Sequence, residues 1–78
     1  MLDEALAGHP QERLAALSER ERAVLEMVAT GLTNAQMADR MKLTVHAVKF
    51  HLASIYHKLQ VANRTEAAVL YLRYGTEA

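Results

Sequence analysis

The 78-residue sequence contains no cysteine and no tryptophan, one proline and only three glycines. Without cysteine the chain forms neither disulfides nor thiolate metal sites, which fits a reducing cytoplasm. Three glycines are too few for the glycine-rich loops that cradle phosphate groups in nucleotide-binding sites. No apolar run approaches the roughly 20 residues of a membrane-spanning helix, and the acidic beginning lacks the apolar segment of a signal peptide. We therefore expect a small cytoplasmic domain without a membrane partner.

The chain also lacks an excess of either charge, since nine basic and nine acidic residues give a formal net charge of zero. The distribution is uneven, however. Residues 1–39 contain seven acids and three bases, whereas residues 40–65 contain five bases and no acid. The field near a protein surface follows the local charge, so this cationic region indicates an anionic partner. A solvated face without a partner is the alternative.

Helix-start signals divide the chain into helices. Ser18, Thr33 and Asn63 each precede a Glu or Gln by three residues, the spacing of a capping box, and Thr44 is a further N-cap candidate. Gly31 suits a left-handed helix end. These signals predict helices over residues 19–30, 34–41, 45–60 and about 64–74, the last stopped by Gly75. No stretch shows the period-two alternation of a strand. The prediction is an all-α, four-helix domain over residues 17–78, with residues 1–16 as a linker or short helix.

Helical periodicity predicts the buried side of the first three helices. The residues expected in the core are Ala23, Val24, Met27, Val28, Ala35, Met37, Ala38, Met41, Val45, Val48, Leu52, Ile55 and Leu59, with Leu43 pointing inward from the turn.

The side of the 45–60 helix opposite this core has an unusual composition. At about 100° per residue, it carries His46, Lys49, Phe50, Ala53 and His57. Phe50 points almost directly away from the core. Single exposed apolar residues are common, but this one stands beside a lysine and two histidines on a face without acids. We therefore interpret Phe50 as a contact residue.

The histidines do not indicate a metal site. His46 and His57 share a face but lie roughly 16 Å apart along the helix, so they cannot bind one ion. No paired carboxylates and no Ser/His/Asp arrangement are visible. We expect a protein that is not an enzyme and has no metal or cofactor.

Two helices joined by the three-residue turn at 42–44 have the arrangement of a DNA-binding helix-turn-helix. Any tight helical pair needs a similar pattern, so this feature alone is only moderately specific.

The segment LSERERAVLEMVATGLTNAQMADRMKLTVHAVKFHLASIYHKLQVANRTEAAV, which begins at Leu17, resembles the LuxR/FixJ-type helix-turn-helix domain. The resemblance extends to about Gly75. Its motifs are LSERE, ATGLTN, MADRM, VKFH, the spacing of Ile55, Lys58 and Leu59, and NRTEAA. Met37 and Met41 stand where isoleucine and leucine are usual. Ala47 replaces a threonine, which removes a hydroxyl that could reach a phosphate.

The resemblance implies that the 45–60 helix enters the major groove of double-stranded DNA. Lys49, Phe50 and Ala53 match base-facing positions, and Lys58 and His51 match positions near the DNA backbone. Further DNA-binding candidates are Lys42, Thr44, His46, His57 and Arg64. For Arg64 an intramolecular pairing is an equal alternative, and for Glu21 and Glu66 capping or pairing is the preferred role. The implied function is sequence-specific DNA binding by a transcriptional regulator.

The 64–74 helix is apolar nearly all round, so it needs two neighbours instead of one. The family's dimers imply that a second copy is one of them, with an interface formed by Ala67, Leu70, Tyr71 and Tyr74. In the alternative, residues 10–17 cover the extra face. Residues 1–16 resemble a linker to a receiver or ligand-sensing domain, which would be a further partner.

Two other functions stay open. One is the promoter-reading domain of a sigma factor. The motif NRTEAA at residues 63–68, which follows Lys58 and Leu59, favours the LuxR type over this alternative. The other is a helical protein-interaction module without DNA binding, against which the acid-free stretch argues.

Overall fold

The computed structural model describes residues 10–75, which form helices and no strand. The helices are α1 (Pro10–Ala15), α2 (Glu19–Ala29), α3 (Asn34–Met41), α4 (Val45–Leu59) and α5 (Arg64–Tyr74). The predicted all-α fold is confirmed. Two predicted helices each end one residue earlier than expected, with Thr30 as the C-cap of α2 and Gln60 following α4.

The predicted N-caps position the starts of α2 to α5. Ser18 and Thr33 form complete capping boxes with Glu21 and Gln36. Thr44 accepts the amide of Ala47 at 3.0 Å. The box predicted at Asn63 is incomplete: its side chain accepts the amide of Glu66 at 2.9 Å, but the Glu66 carboxylate accepts the amide of Ala62 instead, at 2.7 Å. The last helix therefore starts with two local hydrogen bonds in a different pattern.

Three helices end in the same way, with one residue in the left-handed conformation followed by an apolar residue. The left-handed residues are Gly31 (φ 94°), Lys42 (φ 59°) and Gln60 (φ 59°). The next amide donates to the carbonyl five residues earlier, at 2.9 to 3.1 Å, as in a Schellman motif. The apolar residues that follow are partly buried against the core: Leu32, Leu43 and Val61. Only Gly31 was predictable, because lysine and glutamine carry no signal for this conformation.

One core is shared by all five helices. Its buried apolar residues are Leu14, Leu17, Val24, Leu25, Val28, Met37, Ala38, Val48, Leu52, Ile55, Leu59, Ala67 and Leu70. The predictions for Ala35 and Val45 were wrong. Ala35 is exposed because it points about 200° away from the buried Met37 around α3. Val45 is 40% exposed because it begins α4, at the edge of the buried stripe. Ala23, Met27 and Met41 are only partly buried.

α1 belongs to this core. Pro10 and Leu14 are fully buried, and α1 packs against α4 and α5. The guanidinium of Arg22 donates to the carbonyls of Leu14 (3.3 Å) and Gly75 (3.0 Å), which joins the ends of α1 and α5. Residues 1–16 were predicted to be a linker or a short helix; residues 10–15 are a packed helix, and residues 1–9 lie outside the described residues.

Candidate nucleic-acid interface

The solvent-facing side of α4 is the most distinctive surface of the described residues. We call it the outer face; it comprises His46, Lys49, Phe50, Ala53 and His57, all of which are exposed. Phe50 is 73% exposed, more than any other large apolar residue in the described part of the chain. The orientation expected from the helical period is therefore confirmed: Val48, Leu52, Ile55 and Leu59 face the core.

His51 lies at the edge of the outer face. Its side chain is half-buried, and its ring meets the Phe50 ring edge-on, with centroids 6.2 Å apart and planes at 69°. Edge-to-face pairs at such distances are favourable for aromatic rings. The contact supports the exposed phenylalanine from one flank and leaves its other flank to solvent.

The turn before α4 places two more candidates beside the outer face. Lys42 is exposed, and its left-handed backbone ends α3. Thr44 is the N-cap of α4, and its hydroxyl oxygen accepts an amide hydrogen bond. The oxygen thus caps the helix, while the hydroxyl hydrogen can still be donated to an anion.

The basic residues of the region differ in what they contact. The ammonium of Lys58 lies 2.8 Å from the Glu21 carboxylate. The guanidinium of Arg64 donates to Asn34 Oδ1 at 2.8 Å and also to the carbonyl of Leu32. By contrast, Lys42 and Lys49 are exposed and form no ion pair within residues 10–75. The intramolecular alternative for Arg64 is the arrangement that the structure contains.

Glu21 accepts hydrogen bonds from the N-cap of its own helix and from α4. Its carboxylate accepts the amide of Ser18, which precedes α2, at 2.9 Å, and from α4 it accepts the hydroxyl of Ser54 at 3.0 Å and the ammonium of Lys58. Glu21 is nevertheless almost completely buried. The hydrogen bonds from Lys58 and the Ser18 amide outweigh desolvation, and they lower the pKa of Glu21 from 4.5 to about 2. The capping role preferred from the sequence is confirmed, but its link to α4 was not predicted.

The predicted dimer residues do not share one exposed face of α5. Ala67 and Leu70 lie in the domain's own core, where a second copy cannot reach them. Tyr71 and Tyr74 are half-buried against that core. The exposed apolar residues of α5 are instead Val69 (42% exposed) and Leu72 (59% exposed). The sequence missed this division because a helix that is apolar all round has no periodicity to orient it.

Between residues 10 and 75, no three His, Asp or Glu side chains are grouped so that they could hold a metal ion. No helix in that range has the length and apolar character required to cross a bilayer.

α3, the left-handed turn and α4 form a helix-turn-helix with an exposed, acid-free second helix, and this defines the class of the domain. Residues 15–71 match the model of the family described as "Bacterial regulatory proteins, luxR family", and the chain belongs to that family. This match favours the LuxR-type domain over the sigma-factor domain.

Curated relatives agree with the family match. The chain is 42% identical over 59 residues to the transcriptional regulatory protein LnrK of Bacillus subtilis, covering 76% of this chain and 27% of that protein. It is 41% identical over 63 residues to the DNA-binding transcriptional activator DevR/DosR of Mycobacterium tuberculosis, covering 81% and 29%. With the nitrate/nitrite response regulator protein NarP of Escherichia coli it shares 35% over 66 residues, covering 85% and 31%. The chain thus spans less than a third of the length of each of these relatives.

Proposed function

We propose that this chain binds double-stranded DNA sequence-specifically as the output domain of a bacterial transcriptional regulator, with α4 in the major groove. The observation that carries the proposal is the outer face of α4, where a lysine without an ion pair within residues 10–75 flanks a 73% exposed phenylalanine on a surface without acids. The major groove of B-DNA admits one α-helix. The names of the relatives, which include a DNA-binding transcriptional activator, support the same function.

Base readout is assigned to three residues of the outer face. The ammonium of Lys49 can donate to the O6 and N7 acceptors of guanine. Phe50 and Ala53 have no polar side-chain atoms, and such groups contact the C5-methyl group of thymine. Because these positions lie within about one turn of α4, they address neighbouring base pairs.

Phosphate contacts are assigned to the remaining candidates on and around the outer face. Lys42 and Thr44 lie at the turn that precedes α4, and His46, His51 and His57 lie on α4 itself. The ring N–H groups of these histidines can donate hydrogen bonds to phosphate oxygens. Lys58 and Arg64 are weaker candidates, because each already has a partner inside the domain.

The direct test is the affinity of Lys49→Ala for a duplex selected from random sequences by the wild-type chain. Loss of a base contact should weaken specific binding by about 1–3 kcal/mol, while the helical circular dichroism stays unchanged. Arg20→Ala is the matched control, since it removes an exposed positive charge from α2. If both variants bind within a few tenths of a kcal/mol of wild type, α4 does not read DNA.

We also propose that two copies pair on DNA through α5, with Val69 and Leu72 at the contact. These are the exposed apolar residues of that helix. A single short helix falls below the standard interface size of about 800 Å² per partner, so the free chain should dimerise weakly. Adjacent half-sites raise the effective concentration of the two copies.

This dimer proposal is tested with Leu72→Glu. The variant should lose cooperative occupancy of paired half-sites and keep its affinity for a single half-site. An equal loss on the single half-site would contradict the assignment of α5 to the dimer.

Two relatives are named as nitrate/nitrite response regulators. We propose that this chain acts together with a receiver or sensing domain of the same regulator, and that this domain controls when two copies of the DNA-binding domain pair on DNA.

A further inference from the structure

We propose that Glu21 is a positioning residue for DNA readout: its carboxylate fixes the rotation of α4 by binding Ser54 and Lys58, and thereby places the outer face against the bases. This inference rests on the proposed function. Glu21 itself touches no base, because it is buried between α2 and α4.

The contact between Glu21 and α4 has the geometry required to fix the orientation of this helix. Ser54 and Lys58 are four residues apart, so they lie one above the other on the same flank of the helix, about 6 Å apart along its axis. Glu21 Oε2 accepts the Ser54 hydroxyl at 3.0 Å, and Oε1 accepts the Lys58 ammonium at 2.8 Å. Two attachments one turn apart restrain both rotation about the helix axis and sliding along it.

The other end of the contact is rigid. The same carboxylate accepts the Ser18 amide at 2.9 Å, and the Glu21 amide donates to the Ser18 hydroxyl at 3.1 Å. This capping box fixes Glu21 in the first turn of α2, where a negative charge is favoured by the helix dipole. The hydrogen bonds from Lys58 and Ser18 offset the effect of burial on the pKa of Glu21, so the buried carboxylate is ionised at neutral pH.

A small rotation of α4 matters for readout. The side chains of an α-helix end about 5–6 Å from its axis, so a rotation of about 20° moves the outer face by about 2 Å. Hydrogen bonds to base edges tolerate only a few tenths of an ångström. Ala53, a base-facing candidate, directly precedes Ser54 in the chain, so the contact acts next to the residues that it would orient.

The contact also changes the charge that DNA encounters. Lys58 has been assigned to phosphate by resemblance, but its ammonium is neutralised by Glu21. Each phosphate contact contributes about 0.9 to the slope of log affinity against log salt concentration. The proposal therefore implies that Lys58 contributes little to this slope as long as Glu21 is present.

Glu21→Gln separates positioning from capping. Glutamine also serves as the third residue of a capping box, so the link to Ser18 is retained while the charge that attracts Lys58 is lost. The experiment measures fluorescence anisotropy of the full chain on the selected duplex and on a random duplex, over a series of salt concentrations and well below the melting temperature.

For Glu21→Gln we expect the ratio of selected to random affinity to fall by about tenfold or more. Random-duplex binding should stay equal or strengthen, with a slope steeper by about 0.9 because Lys58 is released. The slope of Lys58→Met should equal that of wild type, and adding Lys58→Met to Glu21→Gln should restore it. Ser54→Ala, which keeps both charges, should lower the ratio by a smaller factor.

Two results would overturn the inference. One is an unchanged affinity ratio in Glu21→Gln and Ser54→Ala, which would make the contact a matter of stability alone. The other is a slope that falls by about 0.9 in Lys58→Met, which would make Lys58 a phosphate ligand. Lys49→Ala in the same series distinguishes failure of this inference from failure of the proposed function: if Lys49→Ala binds like wild type, the proposed function itself fails.

Discussion

Four of the five basic residues in the range 40–65 fall into two kinds that look alike in the sequence. Lys58 and Arg64 have acceptors within the domain, Glu21 for one and Asn34 with the Leu32 carbonyl for the other. Lys42 and Lys49 are exposed and form no ion pair within the described range. Counting charges along the chain therefore overstates the number available to phosphate groups. Whether a lysine or arginine supports the fold or a partner depends on the acceptors that the fold brings within reach.

The two kinds also occupy different parts of the structure. The engaged residues connect helices that are distant in sequence, α2 with α4 and the α2–α3 loop with α5. The exposed ones lie at the turn and on the outer face of α4. Loss of an engaged side chain should consequently lower stability, whereas loss of an exposed one should weaken DNA binding without removing a stabilising contact.

The largest expected effect is on stability and comes from Arg64→Met. It leaves the Asn34 side chain and the Leu32 carbonyl without their donor, and hydrogen bonds to charged groups contribute about 1.5–3 kcal/mol each. We expect the free energy of unfolding in urea to fall by about 2–3 kcal/mol. Arg73→Met, at an exposed position of α5, should stay within about 0.5 kcal/mol of wild type. Equal effects of the two substitutions would erase the distinction between the two kinds of cation.

The next effect concerns acid stability through the Lys58–Glu21 pair. The pKa of Glu21 is lower in the folded state, about 2 against 4.5. Its contribution is therefore fully present above pH 4.5 and is lost as the pH falls toward 2. Because the Lys58 side chain is 40% exposed and screened by solvent, we expect this pair to contribute about 1–2 kcal/mol to the free energy of unfolding.

Urea unfolding at several pH values measures this contribution. Glu21→Gln should flatten the fall in the free energy of unfolding between pH 4.5 and 2, whereas Glu26→Gln, at an exposed position of α2, should retain the wild-type fall. Identical pH profiles for wild type and Glu21→Gln would show that the pair does not stabilise the fold.

The smallest effect distinguishes backbone strain from charge at Lys42 and Gln60, the two left-handed residues of the described range that are not glycine. Lys42 and Gln60 have the same φ of 59°, a conformation that glycine adopts without the side-chain clash. Lys42→Gly and Gln60→Gly should each raise the free energy of unfolding by about 0.5–1 kcal/mol. Only Lys42→Gly should also reduce the salt slope of DNA binding, by about 0.9. An equal slope in both variants would remove Lys42 from the phosphate contacts.

Local signals made much of this architecture predictable. N-caps such as Ser18 and Thr33 act within four residues, and the period of α4 orients Phe50, so both could be inferred from neighbouring positions. Contacts across the fold could not. Glu21 and Lys58 are 37 residues apart, and no spacing rule joins them. The face of α5 was missed for a different reason, since apolar residues on all sides leave Val69 and Leu72 indistinguishable from Ala67 and Leu70.

The central claim is that the outer face of α4 contacts bases, and Phe50 tests it most directly because it carries no charge. The measurement is a double cycle at fixed salt, which combines Phe50→Ala with replacement of each thymine of the selected duplex by uracil. We predict that one thymine methyl group and the Phe50 ring depend on each other: either change costs about 1 kcal/mol, and both together cost little more than one. Fully additive losses at every thymine, or an unaltered base preference in Phe50→Ala, would contradict the account.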